Sequence, residues 1–331
     1  MTYYIESGKT DPRFNLALEQ FAFDSLDRVN SYFMLWQNHN SVIIGKNQNT
    51  SEEINANFVN AHNISVVRRL SGGGAVYHDL GNINFTFITG ANEERALDCA
   101  LFCEPIQKAL LSFGVPVEIS GRNDMLIEEK KISGNARYIK RGRVMHHGTL
   151  LYDSDLDALS NALNPPNDKI ESKAIKSVKS RVTNIRPFMK TDMTVKDFFS
   201  ALKEKMFNLL NLQEYKLSGD EEAQIEKLKE NVYSQWSWNY GASLPYNARK
   251  TRRVEKCGAI EILIDIGKEG VIKNIAFYGD FFSNSDLSEL CAMLTGCHLN
   301  RGDLDKALQN TDISNYFYNL EKKEFISILL D

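Results

Sequence analysis

Two hydrophobic periods alternate along the chain, and each change of period marks an element. Residues 12–28 set Leu16, Leu18, Phe21 and Phe23 among Ala and Glu, which predicts an early helix. SVIIGKNQ (41–48) is an apolar run ending in a glycine turn, so a buried strand is expected there. ISVVRRLS (64–71) predicts a strand that feeds the chain into three glycines. INFTFIT (83–89), rich in β-branched and aromatic residues, predicts a third strand. A helix is expected over 94–113, bent at Pro105 and ended by Gly114.

The stretch 125–152, MLIEEKKISGNARYIKRGRVMHHGTLLY, predicts a three-stranded antiparallel meander with a short turn at Arg141-Gly142. DLDALSNAL (155–163) reads as a helix stopped by Pro165 and Pro166. Residues 169–186 lack apolar periodicity and carry six basic residues, which predicts a mobile basic loop. A helix over 194–212 opens with Thr194 and Asp197 in capping-box spacing, and another is expected at about 220–233. WSWNYG (236–241) groups aromatics, and ASLPYNARKTRR (242–253) reads as a linker.

Beyond it the pattern changes. Ile260, Ile262, Ile264 and Ile266 alternate through a half-buried strand, GKEG turns the chain into VIKNIAFYG, and short helices follow, one with Asp286 and Glu289 in cap spacing. The division expected is a main domain over 1–245 and a small α+β domain over 246–331, with no internal repeat.

Composition narrows the function classes. The 331 residues are 43% apolar and 25% charged, ordinary for a soluble globular protein that needs no staples. A net charge of −4 does not favour nucleic acid or an anionic membrane. No apolar run approaches the ~20 residues that span a bilayer. The N-terminal MTYYIESGKTDPRF lacks a signal-peptide pattern, so a cytoplasmic location is expected. Five cysteines form no CxxC pair, which argues against a disulfide framework or a cysteine metal site.

Chemistry concentrates in RRLSGGGAVYHDLGN (68–82). It is not a P-loop, and Tyr77 occupies the place of the last glycine of GxGxxG; HExxH and GxSxG are also absent. Consecutive glycines let backbone N–H groups converge on an anion, and Arg69 adds a planar fork for phosphate or carboxylate. The plainer reading is a tight bulged hairpin with His78 in the core. A second region, GRNDMLIEEKKISGNA (121–136), offers Asn123 and Asp124 at a strand start. There Lys131 and Ser133 share a face that Ile132 does not, while Lys130 reads as solvated. In MHHGTLLY (145–152), alternation turns one of His146 and His147 inward.

Together these regions resemble the lipoate–protein ligase family. RRLSGGGAVYHDLGN, GRND, KISGNA (131–136), HHGTLL (146–151), KIESKAIKSVKSRVTNI (169–185) and GKNQN (45–49) carry the likeness. It spans the whole chain, including the small C-terminal domain of the longer bacterial ligases. Ala174 and Lys179 stand where the family commonly has glycine and arginine.

The resemblance implies an α/β fold: an α+β mixed-sheet catalytic domain related to biotin ligases, with a small α+β accessory domain. It implies an enzyme that joins free lipoate and ATP into lipoyl-AMP, then passes the lipoyl group to a lysine. The acceptors implied are apo lipoyl domains of 2-oxoacid dehydrogenase complexes or glycine-cleavage H protein, with no nucleic acid or membrane partner and a monomeric enzyme. Lys131 is the implied catalytic residue. Arg69, Gly74, Ala75, Val76, Tyr77, Asn123, Asp124 and Lys131 are implied for ATP. Arg69, Ser71, Gly72, Gly73, His78, Lys131 and His147 are implied for lipoate. Asp124 is the implied Mg²⁺ ligand, and the basic loop is implied to fold over the adenylate. An apolar tunnel is expected around Val66 and Phe85. The alternative is an ATP-independent octanoyl or lipoyl transferase working through a cysteine thioester, with Cys99 and Cys103 to hand but outside the matching motifs. A binding protein that has lost the chemistry is a third reading, against which an unbroken glycine loop and Lys131 stand.

Overall fold

The computed structural model describes residues 1–90, 99–120, 124–163, 181–241 and 246–330. They pack as two units. The first comprises Met1–Ile44, Thr50–Arg69 and Ala75–Asn239, and the second comprises Gly45–Asn49, Leu70–Gly74 and the chain from Tyr240 onward. The two short segments, read from sequence as part of the main domain, therefore count with the C-terminal unit.

In the first unit the strands are β1 (Thr2–Glu6), β2 (Ser31–Trp36), β3 (Ser41–Ile44), β4 (Ser65–Arg68), β5 (Val76–His78) and β6 (Asn82–Gly90). They continue with β7 (Glu118–Ser120), β8 (Asp124–Ile127), β9 (Lys130–Lys140), β10 (Arg143–Leu151) and β11 (Gln213–Tyr215). Eight of them form a mixed sheet in the order β11-β1-β2-β6-β10-β9-β8-β7, and β4-β3-β5 form a small second sheet. The expected meander is β8-β9-β10. Its two-residue turns, Glu128-Glu129 and Arg141-Gly142, all take positive φ, as a tight hairpin requires. Strands β1, β2, β5, β7 and β11 were not foreseen from sequence.

The large sheet is covered on both faces. On one, Phe33, Leu35, Ile83, Phe85 and Leu150 pack against Cys103, Ile106 and Leu110 of the helix Cys99–Ser112 and Phe198, Leu202 and Met206 of the helix Val195–Leu210. Each such large side chain contributes about 1.5–3 kcal/mol by leaving water. The other face receives the helix Pro12–Ser25, which touches β6 and β4. Asp11 caps that helix by accepting from the Arg13 N–H, with Pro12 in its first turn. It stops at Ser25, short of residue 28.

The second unit holds β12 (Ala248–Val254), β13 (Gly258–Ile266) and β14 (Ile272–Gly279), all antiparallel. Ile260, Ile262 and Ile264 sit in a core with Phe277, Phe281, Phe317 and Phe325. The linker reading of 242–253 is corrected from Ala248 onward: ARKTRRV is an edge strand paired along its length with β13. Its cations lie on both faces, Arg249 and Arg253 on one and Lys250 and Arg252 on the face of Ile262 and Ile260; a charged edge avoids pairing with strangers, and charge on both faces leaves no apolar alternation.

Within this unit the short segments are gripped closely. The Lys46 N–H donates to the Ser71 carbonyl at 2.8 Å, and the Gly279 N–H donates to the Asn47 carbonyl at 2.8 Å. A Cβ on Gly72 would fall on the Phe281 carbonyl oxygen, far inside van der Waals contact.

Candidate active site

The polar residues of the Pro12–Ser25 helix build the first wall. Asn15 and Glu19 are four residues apart, so they share one face of the helix, and both are buried. Opposite them the paired strands bring Met34, Thr86, His147 and Ala136 into one row across β2, β6, β10 and β9. The Glu19 carboxylate accepts from the Thr86 hydroxyl at 2.5 Å and from His147 Nδ1 at 3.0 Å, and the Trp36 indole N–H donates to Thr86 Oγ1 at 2.9 Å. Asn15 donates to Asn38 Oδ1, and Asn38 in turn donates to His78 Nδ1 at 3.1 Å.

That last bond fixes the His78 tautomer. Nδ1 accepts, so the proton sits on Nε2, which is buried without a partner among the described residues. Burial first, then Arg69 and His147 nearby, push its pKa down to about 3, and the ring is neutral. An orphaned buried donor of this kind marks a place where a ligand acceptor fits. Arg69 is buried too; its Nη1 donates to the Ile43 carbonyl at 3.1 Å. Desolvation lowers its pKa to about 10, with Glu19 opposing, so it keeps its charge at neutral pH. Arg69, His78 and His147 are thus brought together around Glu19.

Lys131 lies further along the same sheet. The register slips beside it: Met125 pairs with Ser133 but Leu126 pairs with Lys131, leaving Ile132 as the extra residue of a bulge. Ile132 is fully buried, and the Lys131 side chain stays 37% exposed, reachable by a substrate. Its Nζ sits 2.7 Å from Asp124 Oδ1 and lies over Gly134, where a Cβ would come within 3.0 Å of it. The Gly134 N–H donates to Thr149 Oγ1, and Thr149 is two residues beyond His147 on one strand face. The Lys131 Nζ, lying over Gly134, therefore reaches to roughly 7 Å along the strand direction from the His147 row.

The glycines have three separate causes. Gly72 is fixed by the Phe281 backbone, which lies against the side where a Cβ would stand. Gly73 has φ +88, a conformation side chains avoid. A Cβ on Gly74 would meet nothing within 4 Å, which leaves room for a ligand. Ser71 is buried in the second unit. Ala75 opens the return into the first unit, and Val76 and Tyr77 pair with β3. Tyr77 is buried, which with Asp79 nearby pushes its pKa up to about 12.

Asn123 and residues 169–180 of the basic loop lie outside the described residues. The last residues of that loop, expected to be mobile, are tied down. Val182 bridges to Lys131, the Thr183 N–H donates to the Lys131 carbonyl at 3.0 Å, and the Asn184 side chain bonds both backbone groups of Ser154.

Three expectations differ from the structure. Lys131 and Ser133 do not share a face, because the bulge at Ile132 turns Lys131 to the side of Gly134. Both histidines of the HH pair are buried, on opposite faces, because the sheet is covered on both sides. His146 lies under Phe102 with its Nε2 3.9 Å from Cys103 and 3.2 Å from Asn135 Oδ1, and burial lowers its pKa to about 3. Phe85 belongs to the apolar core face, away from Thr86 and His147, so it lines no tunnel there. Asn15, Glu19, Trp36, Asn38 and Thr86 were missed. The signal existed: Asn15 and Glu19 are a polar pair at helical spacing inside FNLALEQFAF, and Asn82, Asn84 and Thr86 alternate with apolar residues in β6.

Among the described residues no cluster of three or more His, Cys, Asp or Glu side chains could cage a metal, and no helix is long and apolar enough to cross a membrane. Residues 11–207 match the model of the lipoyl protein ligase A/B catalytic domain, and residues 243–329 match that of the bacterial lipoate protein ligase C-terminus. The chain belongs to the lipoate–protein ligase family. It is 42% identical over 332 residues to the lipoate-protein ligase LplJ of Bacillus subtilis, covering 99% of this chain and all of that one. Among solved structures, Plasmodium falciparum LipL1 in complex with lipoate shares the fold, with a TM-score of 0.80 at 22% identity over 100% of this chain and 98% of that one. A lipoate-protein ligase A bound with ATP matches 72% of this ligase and 98% of its own chain, with a TM-score of 0.60 and 26% identity. The protein is accordingly an enzyme of mixed-sheet ligase fold with a smaller C-terminal domain.

Proposed function

We propose that this ligase activates free lipoate with ATP and then lipoylates a lysine of an acceptor protein, either an apo lipoyl domain or a glycine-cleavage H protein. The observation that carries the reading is Lys131: a half-exposed ammonium over Gly134, beside the single carboxylate of Asp124. A carboxylate and an α-phosphate repel each other, and a positioned cation lets them approach and holds charge as the bond forms.

In the first step a lipoate oxygen attacks the α-phosphorus, the bond to pyrophosphate breaks, and lipoyl-AMP forms. Lys131 bridges both anions and forms no covalent bond to either. In the second step the acceptor amine attacks the acyl carbon, AMP leaves with the bonding electron pair, and the amine loses its proton to solvent. Gly74, Ala75, Val76 and Tyr77 border the nucleotide, with Arg69 giving charge to it. Ser71, Gly72 and Gly73 border the lipoyl chain, and His78 Nε2–H and His147 face its polar contacts. Asp124 would hold a Mg²⁺ ion, which would supply charge to offset that of the phosphates. The thioester alternative lacks support at Cys103, which is fully buried in the core.

Incubation with ATP, lipoate and a panel of apo acceptors, read by intact mass, tests the reading. Lipoate- and ATP-dependent mass gain on an acceptor is expected, with pyrophosphate released. Gain without ATP would favour the transferase instead.

A further inference from the structure

The chain leaves the first unit after Ile44, Arg69 and Asn239, and re-enters it at Thr50 and Ala75. One buried side chain, next to Arg69, bonds two of these points. The Arg68 guanidinium donates from Nε to the Trp238 carbonyl at 2.9 Å, and from Nη2 to Thr50 Oγ1 at 2.7 Å and the Asn239 carbonyl at 3.2 Å. Its backbone joins in: the Arg68 N–H donates to Asn239 Oδ1, and its carbonyl accepts from the Trp238 indole, each at 2.9 Å. Thr50 Oγ1 also donates to the Asn239 carbonyl at 2.6 Å. Arg68, Thr50 and Asn239 are 7%, 0% and 4% exposed.

A guanidinium is buried at a cost unless its N–H groups are satisfied, and its rigid fork directs bonds that a lysine point charge cannot. Here the fork serves the stems of Gly45–Asn49 and Leu70–Gly74, whose partners in the second unit are each other and the residues around Gly279 and Phe281. We propose that Arg68 is a positioning residue of the ligase reaction: it fixes where the glycine segment begins, and through Arg69 and Leu70–Gly74 it sets the backbone offered to the substrates. The inference rests on the reading that this segment meets lipoate and nucleotide.

The test compares the full-length protein with Arg68→Met, Arg68→Lys and Thr50→Val. Two readouts are taken: amide hydrogen exchange at residues 70–74, and lipoate-dependent pyrophosphate release per folded enzyme. Arg68→Met is expected to speed exchange at 70–74 about ten-fold or more and to raise KM for lipoate about ten-fold, with kcat within about three-fold, the scale of a lost charged hydrogen bond. Arg68→Lys recovers less than half of either change on a logarithmic scale. Thr50→Val, which keeps the shape and the guanidinium, moves both readouts the same way by a smaller factor and carries the test if Arg68→Met does not fold. Unchanged exchange at 70–74 in a folded Arg68→Met or Thr50→Val overturns the proposal, as does a loss of activity that only mirrors the folded fraction. A parent protein that releases no pyrophosphate, with exchange still changed by the variants, sinks the ligase reading and leaves the anchoring by Arg68 standing.

Discussion

His78 and His146 are each held neutral inside the protein, with pKa values near 3 against an ordinary value of 6.5. The folded state refuses protons that the unfolded chain accepts below about pH 6.5. Stability from this source is complete above that pH and falls as pH drops toward 3, by about 1.4 kcal/mol per unit for each histidine. Denaturant unfolding at pH 7.5 and 5.5 should therefore differ by about 3 kcal/mol, and His146→Gln should remove about half of the difference. Equal stability at both pH values would contradict the buried neutral assignment. The glycines make a second residue-level prediction. Gly72→Ala should cost about 1–3 kcal/mol, because the Phe281 carbonyl must move. Gly74→Ala should leave the melting temperature within about 2 °C yet weaken ATP binding measured by calorimetry, since nothing internal occupies that space.

At the scale of elements, the meander β8-β9-β10 was legible because alternation and turn residues agree along its length. The site residues on it were legible only in part. Lys131 stood out by its place in an apolar strand, yet the bulge at Ile132 that frees its side chain leaves no mark in the sequence. The wall formed by Glu19, Thr86 and Trp36 escaped notice because it is assembled from a helix and two strands separated along the chain, and the polar residues that mark each element do not show that they meet. The basic edge strand β12 was hidden by its own defence against pairing. The strip 182–186 adds a prediction. Asn184 holds it against Ser154 while Thr183 bonds the Lys131 backbone. Asn184→Ala should lower the rate of lipoyl-AMP formation about ten-fold, with a smaller effect on transfer from supplied lipoyl-AMP. Equal rates in a quenched-flow comparison would remove any role for the strip.

Across the whole molecule, the division into units does not follow the order of the chain. The glycine segment that sequence assigns to the main domain packs with the C-terminal unit, and no local pattern could announce it: the contacts of Gly72 with Phe281 and of Asn47 with Gly279 join residues more than two hundred positions apart. Removing residues 246–331 should consequently raise proteolytic sensitivity at 45–49 and 70–74, whereas cleavage within the large sheet should be unchanged. The central claim is that the ammonium of Lys131 joins two anions into lipoyl-AMP. Single-turnover formation of lipoyl-AMP by Lys131→Ala, with the fold checked by circular dichroism, tests it most directly. A rate lower by about 10²–10³-fold in a normally folded protein is expected. A rate within a few-fold of the parent would contradict it.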